Sequence, residues 1–387
     1  MDKQIKLEDY GVNATTGFLM DDVVADLPDY FEPWNRLSHD MVKLTEAGQM
    51  RDEILKMPVL DHSKLSSDGQ LWRAHQIMAA LTSGYLWQNG PRDVPKCIPR
   101  QIAVPWTEVS KRLGTRAGLS YVDLTLANWR LLDTDKPPSM GNIEDIQRFP
   151  GGETWSSFIK CNILVEFAFA KAVEPLENVL RCFDEADEVG ITTHLEELTA
   201  ALDGFIAQQK DYHKYMNPDD FFLKLIPYFA SVNEVSGSPE GIIYEGVSEE
   251  PIRMMNASAA QTPGIKVVDA LLGIKPQSQR QPHQYEFRDY MVPSHVQLIK
   301  DVTEKNFKDM VKKSTNENLK QAFKTCVDTV IKFRSYHVQL VTKYVVIPAN
   351  KATKGNPEAS KAASEGNVHL LSFLKGMRDD TKETSLE

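Results

Sequence analysis

The chain of 387 residues is short of cysteine: the four it has, at positions 97, 161, 182 and 326, lie far apart and form no CxxC pair. That spacing argues against a disulfide framework or a clustered zinc site and suits a reducing, cytoplasmic setting. Long apolar runs are missing too. No stretch of about 18 uncharged apolar residues exists, which speaks against a transmembrane helix and a membrane partner. The charged N-terminus lacks the apolar core of a secretory signal. Positive charge is not in excess, since 44 Lys and Arg face 54 Asp and Glu for a net −10. Phosphate binding rests on clustered cations, so nucleic acid is not the expected partner. Generic catalytic signatures are absent: there is no GxGxxG, GxxxxGK, HExxH or GxSxG. Strand signals are confined to 101–105 and 242–244, and no internal repeat is visible.

What is there is helix. Apolar residues make up 42% of a chain long enough for a large core and two domains. Helical spacing predicts helices over 34–47, 72–85, 157–174, 176–185, 194–215, 219–228, 266–272, 296–312 and 317–346. Pro175 ends or kinks the third of these, Asn217-Pro218-Asp219-Asp220 reads as a cap, and Pro348 as a stop. The fold class is mainly α. A Pro-, Asp- and Gly-rich linker over 132–150 divides a small N-terminal domain (1–131) from a large helical one (151–387). Within the latter, 347–367 is small, polar and charged with two prolines, and reads as a mobile loop, either a lid or a plain connector.

One stripe stands out. Leu319, Phe323, Cys326, Val330, Phe333, His337, Leu340 or Val341, and Tyr344 follow each other at steps of three and four, so they share a helix face. His337 therefore points into the protein, and its ring needs a partner: a backbone carbonyl, a carboxylate or a metal. The nine histidines (39, 62, 75, 194, 213, 283, 295, 337, 369) include no i, i+4 pair. A single buried histidine is the minimum equipment for haem, yet spacing does not decide among the three partners.

The residues around it do carry a resemblance. Arg334-Ser335-Tyr336-His337, then Gln339, Val341-Thr342-Lys343-Tyr344 and Ile347-Pro348, resemble the proximal-helix signature of the indoleamine 2,3-dioxygenases, haem enzymes that open the indole ring of tryptophan. The likeness runs along nearly the whole chain through LPDYF, LDHSKL, IAVPW, LANW, LVEFA, NPDDFF, YEG, NASAAQ and VDALLGI. It implies a mixed N-terminal domain, a large all-α domain holding one haem b, and His337 as proximal iron ligand. It also implies that Arg334, three residues earlier on the helix, pairs with a haem propionate, with Asp269 at the same edge. Phe158, Asn162 and Val341 are the further positions expected against the haem.

The expected distal pocket comprises Tyr121, Leu124, Ile159, Phe221, Phe222, Ile226, Ser258 and Ala259. Here the chain departs from the family it resembles. The family grips the amino-acid carboxylate with an arginine four residues after the second Phe of a Phe-Phe pair; that position is Ile226. Lys224 is no substitute, being rotated by roughly 200° from Phe222 on a helix. A second distal phenylalanine is Ile159, a small serine is Asn162, and a pocket cysteine is Leu124, whereas Tyr121, Ser258 and Ala259 agree. The carboxamide of Asn162 is placed to donate to bound O₂, to cap a helix turn or to contact a propionate. Three functions are compatible. The first is reversible O₂ binding, similar to the dioxygenase-like myoglobins of gastropod molluscs. The second is a dioxygenase acting on L-tryptophan or another indoleamine through another carboxylate anchor. The third is a haem-dependent regulator recruiting partners through the 347–367 segment or Tyr244, which is otherwise expected to pack at the domain junction. The loss of the arginine favours the first.

Overall fold

The computed structural model describes residues 4–90, 93–229, 240–255, 257–275, 286–355 and 357–385. The helix at the centre of the N-terminal part, α1 (Asp68–Trp87), is buried on every side along almost its full length, polar residues Arg73, His75 and Gln76 included. Ser67 caps it by accepting from the Gln70 N–H at 3.3 Å. α2 (Arg100–Leu113) takes in residues 101–105, where a strand was expected. The β-branched IAVP run misleads, because Ile102, Ala103, Trp106 and Val109 bury one helical face, and that burial outweighs local strand preference.

Strands are two residues each. β1 (Cys97–Ile98) pairs in parallel with β4 (Ile243–Tyr244), and β2 (Arg130–Leu131) pairs antiparallel with β3 (Ile143–Glu144). The latter pair closes the 132–150 segment, whose Ile143 and Phe149 are buried. Tyr244 is buried against Trp106 in a stacked pair and donates to the Ala117 carbonyl at 3.1 Å.

The longer helices that follow are α3 (Gly152–Ala170), α4 (Val173–Asp184), α5 (Glu188–Gln208), α6 (Pro263–Leu271), α7 (Pro293–Glu304), α8 (Glu317–Val341) and α9 (Pro357–Lys382). The break between α3 and α4 falls at Lys171 and Ala172 rather than at Pro175, which sits in the first turn of α4 where its missing N–H costs nothing. α5 is the hub: α3, α4 and α8 all pack on it, and α8 also packs on α9. A Cβ at Gly264 would lie 2.7 Å from the Phe169 ring, so glycine lets α6 close onto α3. No described helix is long and apolar enough to cross a membrane.

Three π-helical turns interrupt the α-helical pattern: Val122–Leu126, Phe221–Leu225 and Thr342–Val346. Such turns concentrate at functional sites. The third leads into a further helix, Ile347–Ala352, with Pro348 in its first turn, so Pro348 does not stop the chain's helical course. The loop expected over 347–367 is likewise helix, apart from a turn over 353–355 and residue 356, which lies outside the described residues. Its Ala-, Lys- and Glu-rich composition, read as linker-like, is also that of a good helix former once Pro357 supplies the first turn.

Candidate functional site

His337 lies on α8 with the Phe333 ring stacked over it at 6.3 Å. It is half-buried by exposure, yet protein crowds it closely enough that desolvation pushes its pKa down to about 4. The imidazole is therefore neutral at physiological pH. Among the described residues neither ring nitrogen has a hydrogen-bond partner. The carbonyl or carboxylate partner that spacing left open is therefore not found among the described residues. What remains is a neutral imidazole free to ligate a metal.

One turn earlier, the Arg334 guanidinium donates through Nη2 to Asp269 Oδ2 at 2.6 Å. Both residues are buried. The pair is incomplete: Arg334 Nε and Nη1 and Asp269 Oδ1 are buried without partners. Desolvation raises the Asp269 pKa, and the nearby cations Arg334 and Lys266 oppose that rise. Two orphaned guanidinium donors suit an anionic group beside His337, which is what a haem propionate would present. Val341 is half-buried one turn after His337.

Across from these lie the residues expected on the distal wall. Phe158 of α3 meets Phe221 at 5.2 Å, Phe229 at 5.6 Å and Tyr212 at 6.3 Å. Phe221 in turn meets Tyr344, two turns beyond His337, at 6.0 Å. Ile159 and Leu124 are buried, while Phe222 and Ile226 are half-buried at the rim of the core. Lys224 is exposed and paired with Asp220 at 3.1 Å, turned away as the rotation argument required. The π-turns at Val122–Leu126 and Phe221–Leu225 carry Leu124, Phe221 and Phe222 and lead into Ile226.

Asn162 is engaged at both ends of its carboxamide. Its NH₂ donates to the Phe158 carbonyl at 2.8 Å, and its Oδ1 accepts from the Tyr212 hydroxyl at 2.8 Å. Of its three expected roles, the structure displays the helix-turn one. Ser258 opens a short 3₁₀ turn, Ala259–Gln261, closed by reciprocal caps with Gln261. Gln261 Oε1 also accepts from the Tyr121 backbone N–H at 2.8 Å, which ties the turn to the distal tyrosine. Ala259 itself is exposed.

Sequence reading missed two groups. Glu166, on the face of α3 that carries Asn162 and Phe158, accepts from the Tyr121 hydroxyl at 2.8 Å. Both are buried; desolvation pushes Glu166 up to about 7 and holds Tyr121 well above its usual value. The four-residue steps from 158 to 162 to 166 were the available signal, obscured because LVEFA reads as plain apolar helix. The second group is Lys266, 6% exposed on α6 one turn before Asp269.

A model of the indoleamine 2,3-dioxygenase family matches residues 6–384. Indoleamine 2,3-dioxygenase 2 of Homo sapiens is 32% identical over 390 residues, covering 99% of this chain and 96% of that protein. A myoglobin of Haliotis madaka is 35% identical over 385 residues, 98% of each chain. Indoleamine 2,3-dioxygenase 1 of Mus musculus is 30% identical over 389 residues, 98% of this chain and 96% of its own.

Proposed function

The chain belongs to the indoleamine 2,3-dioxygenase family, and from that premise we propose that it is a haem b protein, one haem per chain, that binds O₂ reversibly. When bound, ferrous haem supplies an iron that takes O₂ as a reversible ligand. The chain's own residues do the rest. His337 offers its free, neutral imidazole as the proximal ligand, and Phe333 holds the ring by stacking. Arg334 directs its two unpartnered donors at a propionate. Phe158, Ile159, Phe222 and Ile226 keep water and its protons away from the ligand site, which slows oxidation to the ferric state.

The observation that carries this reading is Ile226. It stands where the resemblance places the carboxylate-gripping arginine, and the nearest cation along the chain, Lys224, is committed to Asp220. Isoleucine offers nothing to a carboxylate, and loss of a bidentate arginine contact removes orientation as well as affinity. The Haliotis myoglobins among the relatives support the same reading.

A second reading, a dioxygenase that opens the indole ring of L-tryptophan to N-formylkynurenine, draws on the near full-length likeness to indoleamine 2,3-dioxygenase 2. The deciding experiment follows the optical spectrum of the reduced, haem-loaded protein in air, with and without excess L-tryptophan, while product absorbance is recorded. A long-lived oxy spectrum indifferent to tryptophan and no product is the expected result. Rapid N-formylkynurenine formation would overturn it in favour of the enzyme.

A further inference from the structure

Resting on the haem reading above, we propose that Lys266 is a propionate-binding residue that shares with Arg334 the neutralisation of the haem carboxylates. Lys266 stands three residues before Asp269 on one face of α6 and is 6% exposed. Among the described residues its ammonium has neither a hydrogen bond nor an ion pair. The charges that act on it are Asp269, Arg288 and Arg334, and Arg334 is already bonded to Asp269, so Lys266 and Arg334 share that one carboxylate. A buried cluster with that surplus is unfavourable alone, because removing cations from water is costly unless they are paired. Two of the Arg334 donors are orphaned in the same place. That leaves one positive charge unmatched among Lys266, Arg334 and Asp269, and a haem propionate would meet it. Desolvation, helped by Arg288 and Arg334, lowers the Lys266 pKa to about 8, which still leaves the ammonium as the main form at neutral pH.

The competing role is structural, with the ammonium swinging onto the free Oδ1 of Asp269. Lys266→Met and Lys266→Arg, each prepared with and without haem, separate the two. For a propionate-binding lysine, Lys266→Met raises the Tm of the apoprotein and speeds haem transfer to an acceptor apoprotein roughly ten- to a hundredfold, the loss expected for one charge-assisted contact. The iron midpoint potential falls in the same variant, because a nearby positive charge has gone, and Lys266→Arg restores slow haem loss. A Lys266→Met protein whose apo form melts lower while haem leaves at the wild-type rate overturns the assignment alone. A wild-type chain that takes up no haem overturns the proposed function, and this assignment with it.

Discussion

Tyr121 donates its hydroxyl to Glu166 across 2.8 Å, and both side chains are buried. The second Glu166 oxygen has no hydrogen-bond partner among the described residues. Desolvation raises the folded-state pKa to about 7 against an ordinary 4.5, so folding favours the neutral acid. The stabilising contrast is complete below the unfolded pKa and is lost as pH rises through about 7.

Stability should therefore decline between about pH 4.5 and 7 by up to roughly 3 kcal/mol from this one group. Glu166→Gln keeps an acceptor for Tyr121 and cannot ionise. Its urea-unfolding curves should lack that decline, and a variant that tracks the wild type across the range would show that Glu166 is not the group responsible.

Ile226→Arg should tighten L-tryptophan binding by about ten- to a hundredfold, the reverse of losing one charge-assisted contact. Spectral titration of the ferric protein reads this directly. An unchanged affinity would count against placing residue 226 at the carboxylate.

His337→Ala should abolish stable haem retention while leaving the fold intact, since the ring makes no hydrogen bond among the described residues. Haem content after gel filtration is the readout. Full retention with an unaltered spectrum would remove His337 as the proximal ligand.

Asp123 accepts from the Ser120 N–H at 2.8 Å and the Ser120 hydroxyl at 2.7 Å, and it faces His75 Nδ1 at 2.7 Å, all buried. Asp123→Ala orphans these groups together and should cost about 3–5 kcal/mol. Because the residue lies in the π-helical turn beside Tyr121, chemical denaturation and the distal-ligand spectrum should change together. A small loss of stability would mean that water replaces the carboxylate.

The α8 stripe was legible because eight apolar or aromatic positions at helical steps leave one solution, whereas Arg334 and Asp269 were picked out only by the resemblance and read unaided as ordinary surface or salt-bridge residues. The strand expected over 101–105 failed because tertiary burial of Ile102 and Trp106 overrode β-branched preference. The 347–367 segment was misjudged because small, polar, charged residues have the same composition whether they form a linker or a helix surface. Glu166 and Lys266 were illegible for a different reason. Each sits among apolar neighbours in sequence, and only the approach of a distant element, Tyr121 in one case and Arg334 in the other, gives the charge its meaning. Asn162 was recognised as a departure, but its partner Tyr212 lies 50 positions away and no local pattern points to it.

The three π-helical turns store information as a residue count. An i→i+5 turn holds one residue more than the i→i+4 turns around it. Deleting Thr342 or Lys343 would leave His337 untouched, close the turn to the ordinary α pattern and carry Tyr344 about 100° round the helix, while the helix after the turn keeps its phase. That would pull Tyr344 away from Phe221. At these places a change of length is confined to the turn and the residues it carries, whereas inside an unbroken α-helix the same change would rotate everything beyond it.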